Sequence, residues 1–208
     1  MTPEELAVEW PDIEQKLMVG DIILSHARKG LFSKLIQKKT GSYWSHAALI
    51  FEDNRVIKFG SPLIIEGYSH GIEIHRLKKY SDRLELFDIG VKRFPGLSKE
   101  ERLKFVKSFM WNNIDAPYDH RRIWTYMLTG SAETKGKLTQ KLRYRSINQE
   151  AFICSTFVHK AFHHFKKHRK IAGEFTDKMH RELALEEEVS PGTIAQDENF
   201  DWIFNKHP

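Results

Sequence analysis

Cys154 is the only cysteine in this 208-residue chain, and the residues around it make it a candidate nucleophile. The apolar residues that follow it recur at helical spacing: Phe157, Val158, Ala161 and Phe162. This pattern predicts that Cys154 lies at or near a helix N-terminus, where free backbone N–H groups and the helix dipole lower the pKa of a thiol. The same N–H groups could hold an oxyanion. The alternative is an inert cysteine buried in the core.

A nucleophilic thiol needs a base and a group that orients the base. His46 is the best candidate for the base, since it directly precedes an apolar run at residues 47–51. Glu66 ends a second apolar run, residues 63–65. If the two strands pair, the Glu66 carboxylate can reach the imidazole and fix its tautomer. The alternatives are a structural histidine and an ordinary carboxylate at the end of a strand.

Three aromatic residues lie beside these motifs and are candidates for lining a substrate cleft: Tyr43, Trp44 and Tyr118. Aromatic residues at such positions also serve as packing, so both readings stay open.

The elements that must position these residues form an α+β pattern. A helix is predicted to begin at Thr2-Pro3, with Pro11 kinking or restarting it. Short strands with turn signals between them predict an antiparallel meander over residues 22–24, 47–51, 56–59, 63–66, 72–75 and 84–87.

Helices dominate the rest of the predicted structure. A short helix is expected around residues 31–36, before a polar loop at 38–42. Ser98, with Glu101 three residues later, predicts a capped helix over 98–113. A further helix is expected at 121–129, a mobile basic loop or lid at 130–149, the Cys154 helix at about 152–168, and then a polar tail.

The length favours a single domain, divided as 1–19 (N-terminal helix), 20–91 (strands), 98–129 (helices), 130–149 (basic loop) and 150–208 (Cys154 helix and C-terminal segment). With 40% hydrophobic and 29% charged residues, the composition is that expected of a soluble globular protein. A lone cysteine, an acidic N-terminus and the lack of a long apolar run predict a cytoplasmic protein without a transmembrane anchor. A formal charge of +5 favours anionic partners only mildly.

Four short motifs in a fixed order resemble the circularly permuted NlpC-type papain-like proteins, YiiX-like branch, and more distantly lecithin:retinol acyltransferase. The motifs are residues 20–24, residues 45–50 around His46, residues 65–67 around Glu66, and residues 152–158 around Cys154. Histidine precedes cysteine, as in the permuted group. Pro117-Tyr118-Asp119 and residues 190–194 also resemble family segments, although Thr193 replaces an acidic residue in the second.

The resemblance implies that Cys154 is the nucleophile, His46 the general base and Glu66 the orienting residue. It implies an α+β fold, with a small antiparallel sheet or half-barrel, the cysteine helix packed against it, and flanking helices. No cofactor or metal is required, and the substrate would be a peptide amide or a lipid amide or ester.

One competing signal is the pair His164 and His168, which share a helix face and could bind zinc. No further ligands at a recognisable spacing support zinc, and a solvated basic helix end is the better interpretation. Nucleic-acid binding is not expected, because the basic segments are generic.

Three functions remain open. The first is a cysteine amidase or peptidase that forms an acyl-enzyme on Cys154, for instance with cell-wall peptides. The second is a lipid-directed acyltransferase or thioesterase at the same site. The third is a non-catalytic module that binds an anionic partner and has an unreactive Cys154.

Overall fold

The computed structural model describes residues 3–53, 60–68, 70–117, 154–169 and 189–205. Its helices are α1 (Pro3–Gln15), α2 (Leu31–Thr40), α3 (Lys78–Ser81), α4 (Lys99–Glu101), α5 (Ser108–Asn112), α6 (Cys154–Arg169) and α7 (Pro191–Gln196), with a π-helical segment (Arg102–Lys107) between α4 and α5. Its strands are β1 (Ile22–Ala27), β2 (His46–Glu52), β3 (Leu63–Tyr68), β4 (Gly71–Arg76), β5 (Phe87–Arg93) and β6 (Asp201–Asn205).

The six strands form one open antiparallel sheet in the order β4-β3-β2-β1-β5-β6. Strands β1 to β4 make the expected meander, each next to its predecessor. Strand β5 then returns to pair with the free side of β1, and β6 pairs with β5. The α+β class and the permuted papain-like architecture predicted from the motifs are therefore confirmed.

The sheet has an apolar cluster on each face, because alternate residues of a strand point to opposite sides. One cluster joins Leu24, Ala47 and Leu49 to the inner face of α6, which contributes Phe157 and Phe162. The other joins Ala48 and Ile64 to side chains of α1 and α3. Helix α6 therefore lies on one side of β2, and α3 lies on the other.

Several predicted elements need correction. The sequence pattern predicts a strand over 84–87, but residues 82–86 form turns and β5 begins only at Phe87. Backbone N–H groups of Leu86 and Phe87 bond to the Arg83 carbonyl, so the alternating apolar residues here belong to a turn. Helix α2 continues through Thr40, into the expected loop. Helix α1 passes Pro11 without a restart.

The predicted helix at 98–113 is present in three parts, α4, the π-helical segment and α5. Its predicted cap is confirmed, because the Ser98 side chain accepts from the Glu101 N–H and the Glu101 side chain accepts from the Ser98 N–H. Strand β6 lies within what the sequence suggested was a polar tail.

Some predictions fall outside the described residues. They are the strand at 56–59, the helix at 121–129, the basic loop at 130–149, and the position of Tyr118. The side chains of His164 and His168 are also outside the described part of the chain. The division into five segments stays a prediction.

Candidate active site

Strand register brings the predicted base and its carboxylate together. Glu66 pairs with Ala48, two residues after His46, so both side chains lie on the same face of the sheet. Nε2 of His46 donates to Oε2 of Glu66 at 2.6 Å. This contact fixes the ring orientation and assigns the Nε2 proton to the carboxylate side.

Cys154 meets the other side of the same imidazole. Helix α6 packs against β2 and β3, and Cys154 is the first residue of that helix. The thiol forms a hydrogen bond with His46, and because Nε2 is engaged by Glu66, Nδ1 is the ring nitrogen left for it. Backbone N–H groups of Ala47 and Ser155 also bond to the sulfur.

The charges in this group shift the ionisation of the thiol. Burial alone would raise the pKa of Cys154, which is 7% exposed. The His46 charge, its hydrogen bond and the two backbone N–H groups outweigh burial and lower the pKa of Cys154. The arrangement therefore favours a thiolate.

The pKa of the His46 imidazole shifts in the opposite direction. Burial would lower the pKa of His46, but Cys154 and Glu66, through charge and hydrogen bonds, raise it to about 10. A thiolate beside an imidazolium is the form of a cysteine–histidine pair that is ready for nucleophilic attack.

Glu66 is fully buried, and its two oxygens accept four hydrogen bonds. Oε2 accepts from His46 and, at 2.6 Å, from the hydroxyl of Tyr80. Oε1 accepts from Nζ of Lys79 at 2.7 Å and from Nδ1 of His75 at 3.0 Å. Burial would raise the pKa of Glu66, but the contacts with His46, His75 and Lys79 hold it well below its usual range.

The predicted cleft aromatics have other contacts. Trp44 is 4% exposed and packs in the core against Trp202, with ring centroids 6.0 Å apart. The Tyr43 hydroxyl donates to Asp88, and its ring stacks on His26 with centroids 4.0 Å apart. These contacts favour the packing interpretation of both residues.

Sequence reasoning missed Tyr80, Lys79 and His75 as neighbours of Glu66. For His75 a signal existed, because the alternation in residues 72–75 and a tight turn after Tyr68 fix its register with β3. The helix α3 that carries Lys79 and Tyr80 had no such signal, since it reaches Glu66 through tertiary packing alone.

Comparison with known proteins decides the family. The model of a family described as permuted papain-like amidase enzyme, YaeF/YiiX, C92 family, matches residues 16–126. The chain belongs to this family. The match to the permuted papain-like amidases includes His46 and Glu66 and ends before Cys154.

Among solved structures, this permuted papain-like amidase is similar to one described as the metalloprotein yiiX from Escherichia coli O157:H7. The identity is 18%, the TM-score is 0.56, and the alignment covers 92% of this chain and 98% of that one. A search of curated proteins gave no match. The likeness supports the fold, and the predicted YiiX-like resemblance is confirmed.

Proposed function

We propose that this protein is a cysteine amidase in which Cys154 is the nucleophile, His46 the acid and base, and Glu66 the orienting carboxylate. The observation that carries the proposal is the continuous contact from the Cys154 thiol through the imidazole to the buried carboxylate. Membership of an amidase family supports the reaction class.

In the first step, the Cys154 thiolate attacks the carbonyl carbon of the substrate and a C–S bond forms. The imidazolium of His46 then gives its proton to the nitrogen of the leaving amine, and the C–N bond breaks. The products are a free amine and a thioester on Cys154.

In the second step, water attacks the thioester carbon while neutral His46 takes a proton from it. The C–S bond breaks, the carboxylic acid product leaves, and the thiolate–imidazolium pair is restored. Glu66 stays ionised throughout and stabilises the imidazolium, as the third member of a triad does.

The substrate class we propose is the amide bond of a peptide, with short cell-wall-derived peptides among the candidates. None of the described helices has the length and apolar character needed to cross a membrane. No described contact favours the lipid-directed alternative, and it becomes an outcome of the experiment below.

The yiiX structure is described as that of a metalloprotein. In the described part of the present chain, no group of three or more His, Cys, Asp or Glu side chains is arranged to hold a metal ion.

The test compares wild type with Cys154→Ala on a library of peptide amides that includes cell-wall stem peptides. Wild type is expected to release amine and to show an acyl mass shift on intact-protein mass spectrometry, and Cys154→Ala to do neither. Equal amine release by the two proteins would refute the proposal. Acylation only by phospholipid or acyl thioester would favour the lipid-directed alternative.

A further inference from the structure

The carboxylate of Glu66 has its partners divided between two oxygens. Oε2 is shared by His46 and Tyr80, whereas Oε1 is shared by His75 and Lys79. The final torsion of a glutamate side chain is broad and poorly defined by itself. The hydrogen-bond partners of the carboxylate therefore determine how the lone pairs of Oε2 are oriented towards the imidazole.

Tyr80 is more fully buried than the other three partners of Glu66. It is 4% exposed, whereas the side chains of His46, His75 and Lys79 are 20%, 31% and 27% exposed. Its ring packs edge-on against Phe87, with centroids 5.1 Å apart and planes at 86°.

The helix that carries Tyr80 is attached to the sheet by backbone bonds. The N–H of Tyr80 bonds to the carbonyl of Leu77, which is itself fully buried, and the Leu77 N–H bonds to the carbonyl of Pro62. These bonds attach the start of α3 to the residue just before β3, the strand that carries Glu66.

We infer that Tyr80 is a positioning residue, whose hydroxyl fixes Oε2 of Glu66 so that this oxygen stays aligned with Nε2 of His46. This inference rests on the proposed function of the Cys154–His46–Glu66 group. The Tyr80 ring also lies beside the His46 ring, with centroids 6.4 Å apart, but phenylalanine would preserve that contact. The role we infer for the hydroxyl acts through the carboxylate that it contacts.

The alternative explanation is structural, because a buried hydroxyl needs a partner wherever it lies. The two explanations differ in one respect. A positioning residue loses its effect when Glu66 no longer carries a charge, whereas a purely structural residue affects the protein independently of that charge.

The experiment measures the rate of Cys154 alkylation by iodoacetamide as a function of pH in a double-mutant cycle of Tyr80→Phe and Glu66→Gln. Tyr80→Phe keeps the ring and removes only the hydroxyl. It is expected to lower the rate at neutral pH by about tenfold, the usual effect of one hydrogen bond to a charged group. In the Glu66→Gln background, it is expected to change the rate no further.

Tyr68→Phe is the matched control. Tyr68 lies on β3 and contacts Lys79 through its ring, a contact that phenylalanine preserves. Its hydroxyl is not among the four described donors to Glu66, so the alkylation profile should be that of wild type.

A spectroscopic readout keeps the inference testable if Tyr80→Phe does not fold. The proton on Nε2 of His46 should give a downfield NMR resonance, and site-specific 3-fluorotyrosine at position 80 should move it by changing the strength of the hydroxyl as a donor. An unmoved resonance overturns the inference. So does an unchanged alkylation profile in Tyr80→Phe, or an equal loss in the Glu66→Gln background.

Neither readout needs a substrate, so the outcome is independent of whether an amide is cleaved. If wild type cleaves no amide but the cycle is non-additive, the proposed function fails and the positioning role stands. If amides are cleaved and the cycle is additive, only the positioning role fails.

Discussion

The carboxylate of Glu66 is a charge with no exposed surface, which is costly unless every lone pair finds a donor. Four donors meet this need, and one of them is the imidazole that contacts Cys154. The buried charge of Glu66 is therefore stabilised in part by His46, the same residue that Glu66 orients.

Replacing Glu66 by Gln keeps the shape of the side chain and removes its charge. We expect the rate of amide cleavage to fall between about 10- and 100-fold, because a hydrogen bond to a charged group is replaced by one to a neutral amide. Steady-state kinetics measure this. Glu73→Gln is the control, since Glu73 pairs across the strands with Glu66 but contacts only His75 among the site's neighbours. Equal losses in the two variants would contradict the role of Glu66.

The reactivity of the Cys154 thiol in solution should depend on the His46 imidazole. Since the pKa of Cys154 is lowered, the pH profile of its alkylation should have a midpoint below the value of about 8.5 for a free thiol. His46→Ala removes the charge and the hydrogen bond that contribute most to lowering the pKa of Cys154, so the midpoint should rise and the rate at neutral pH should drop by more than about tenfold. Iodoacetamide labelling followed by mass spectrometry gives both curves. Superimposable curves would show that His46 does not activate Cys154.

At the scale of the elements, α7 and the residues just before it contact both the loop before β2 and the start of α6. Gly192 in α7 approaches Ser42 so closely that an added Cβ would lie 2.4 Å from the Ser42 Cβ and Oγ. Just before α7, the carbonyl of Val189 accepts a hydrogen bond from Ser155, the neighbour of Cys154. This element therefore contacts the segments that lead to both His46 and Cys154.

Gly192→Ala should destabilise the protein by about 1–3 kcal/mol, because the new methyl group has no space beside Ser42. Urea unfolding measures the change. In the Ser42→Gly background, which removes the clashing atoms, the same substitution should cost less than half as much. A cost that stays the same in that background would show that the close approach to Ser42 is not its cause.

Elements were predictable from sequence where local pattern and tertiary environment agree. The apolar runs of β2 and β3 and the capping box at Ser98 are examples. Strand β5 was misplaced because Gly90 and Lys92 interrupt its apolar pattern. Lys92 is nevertheless almost fully buried, and its Nζ donates to carbonyls at the end of α7.

The residues of the candidate site also fall into a group that the sequence could predict and a group that it could not. Cys154, His46 and Glu66 could be selected because each sits in a short motif, and the motifs occur in the permuted order. Tyr80 and Lys79 could not, because their nearness to Glu66 follows from where α3 packs on the sheet. Whether the three motif residues carry out catalysis stays a prediction until the variants above are measured.

For the whole molecule, the buried carboxylate predicts how stability changes with acid. Because the pKa of Glu66 in the folded chain lies below its value of 4.5 in the unfolded chain, its contribution to stability is present above pH 4.5. That contribution is lost as the pH falls from 4.5 through the folded pKa. The difference in unfolding free energy between wild type and Glu66→Gln should therefore narrow on acidification, by at most about 1.4 kcal/mol per pH unit.

Urea titrations from about pH 5 to about pH 3 would measure this difference. Tyr68→Phe serves as a control, because its difference from wild type should stay constant over the same range. A gap between wild type and Glu66→Gln that widens towards low pH would contradict the sign of the Glu66 shift.

The sulfur takes its bonds from two segments that are far apart in the chain, one N–H from Ala47 in β2 and one from Ser155 in α6. These two bonds, which help to lower the pKa of the thiol, form together only in molecules where α6 is packed on β2. Since the chain has a single cysteine, its labelling rate at neutral pH should approach that of a free thiol in molecules where this interface is open. The labelling rate of Cys154 therefore reports local opening between α6 and β2, without an added spectroscopic probe.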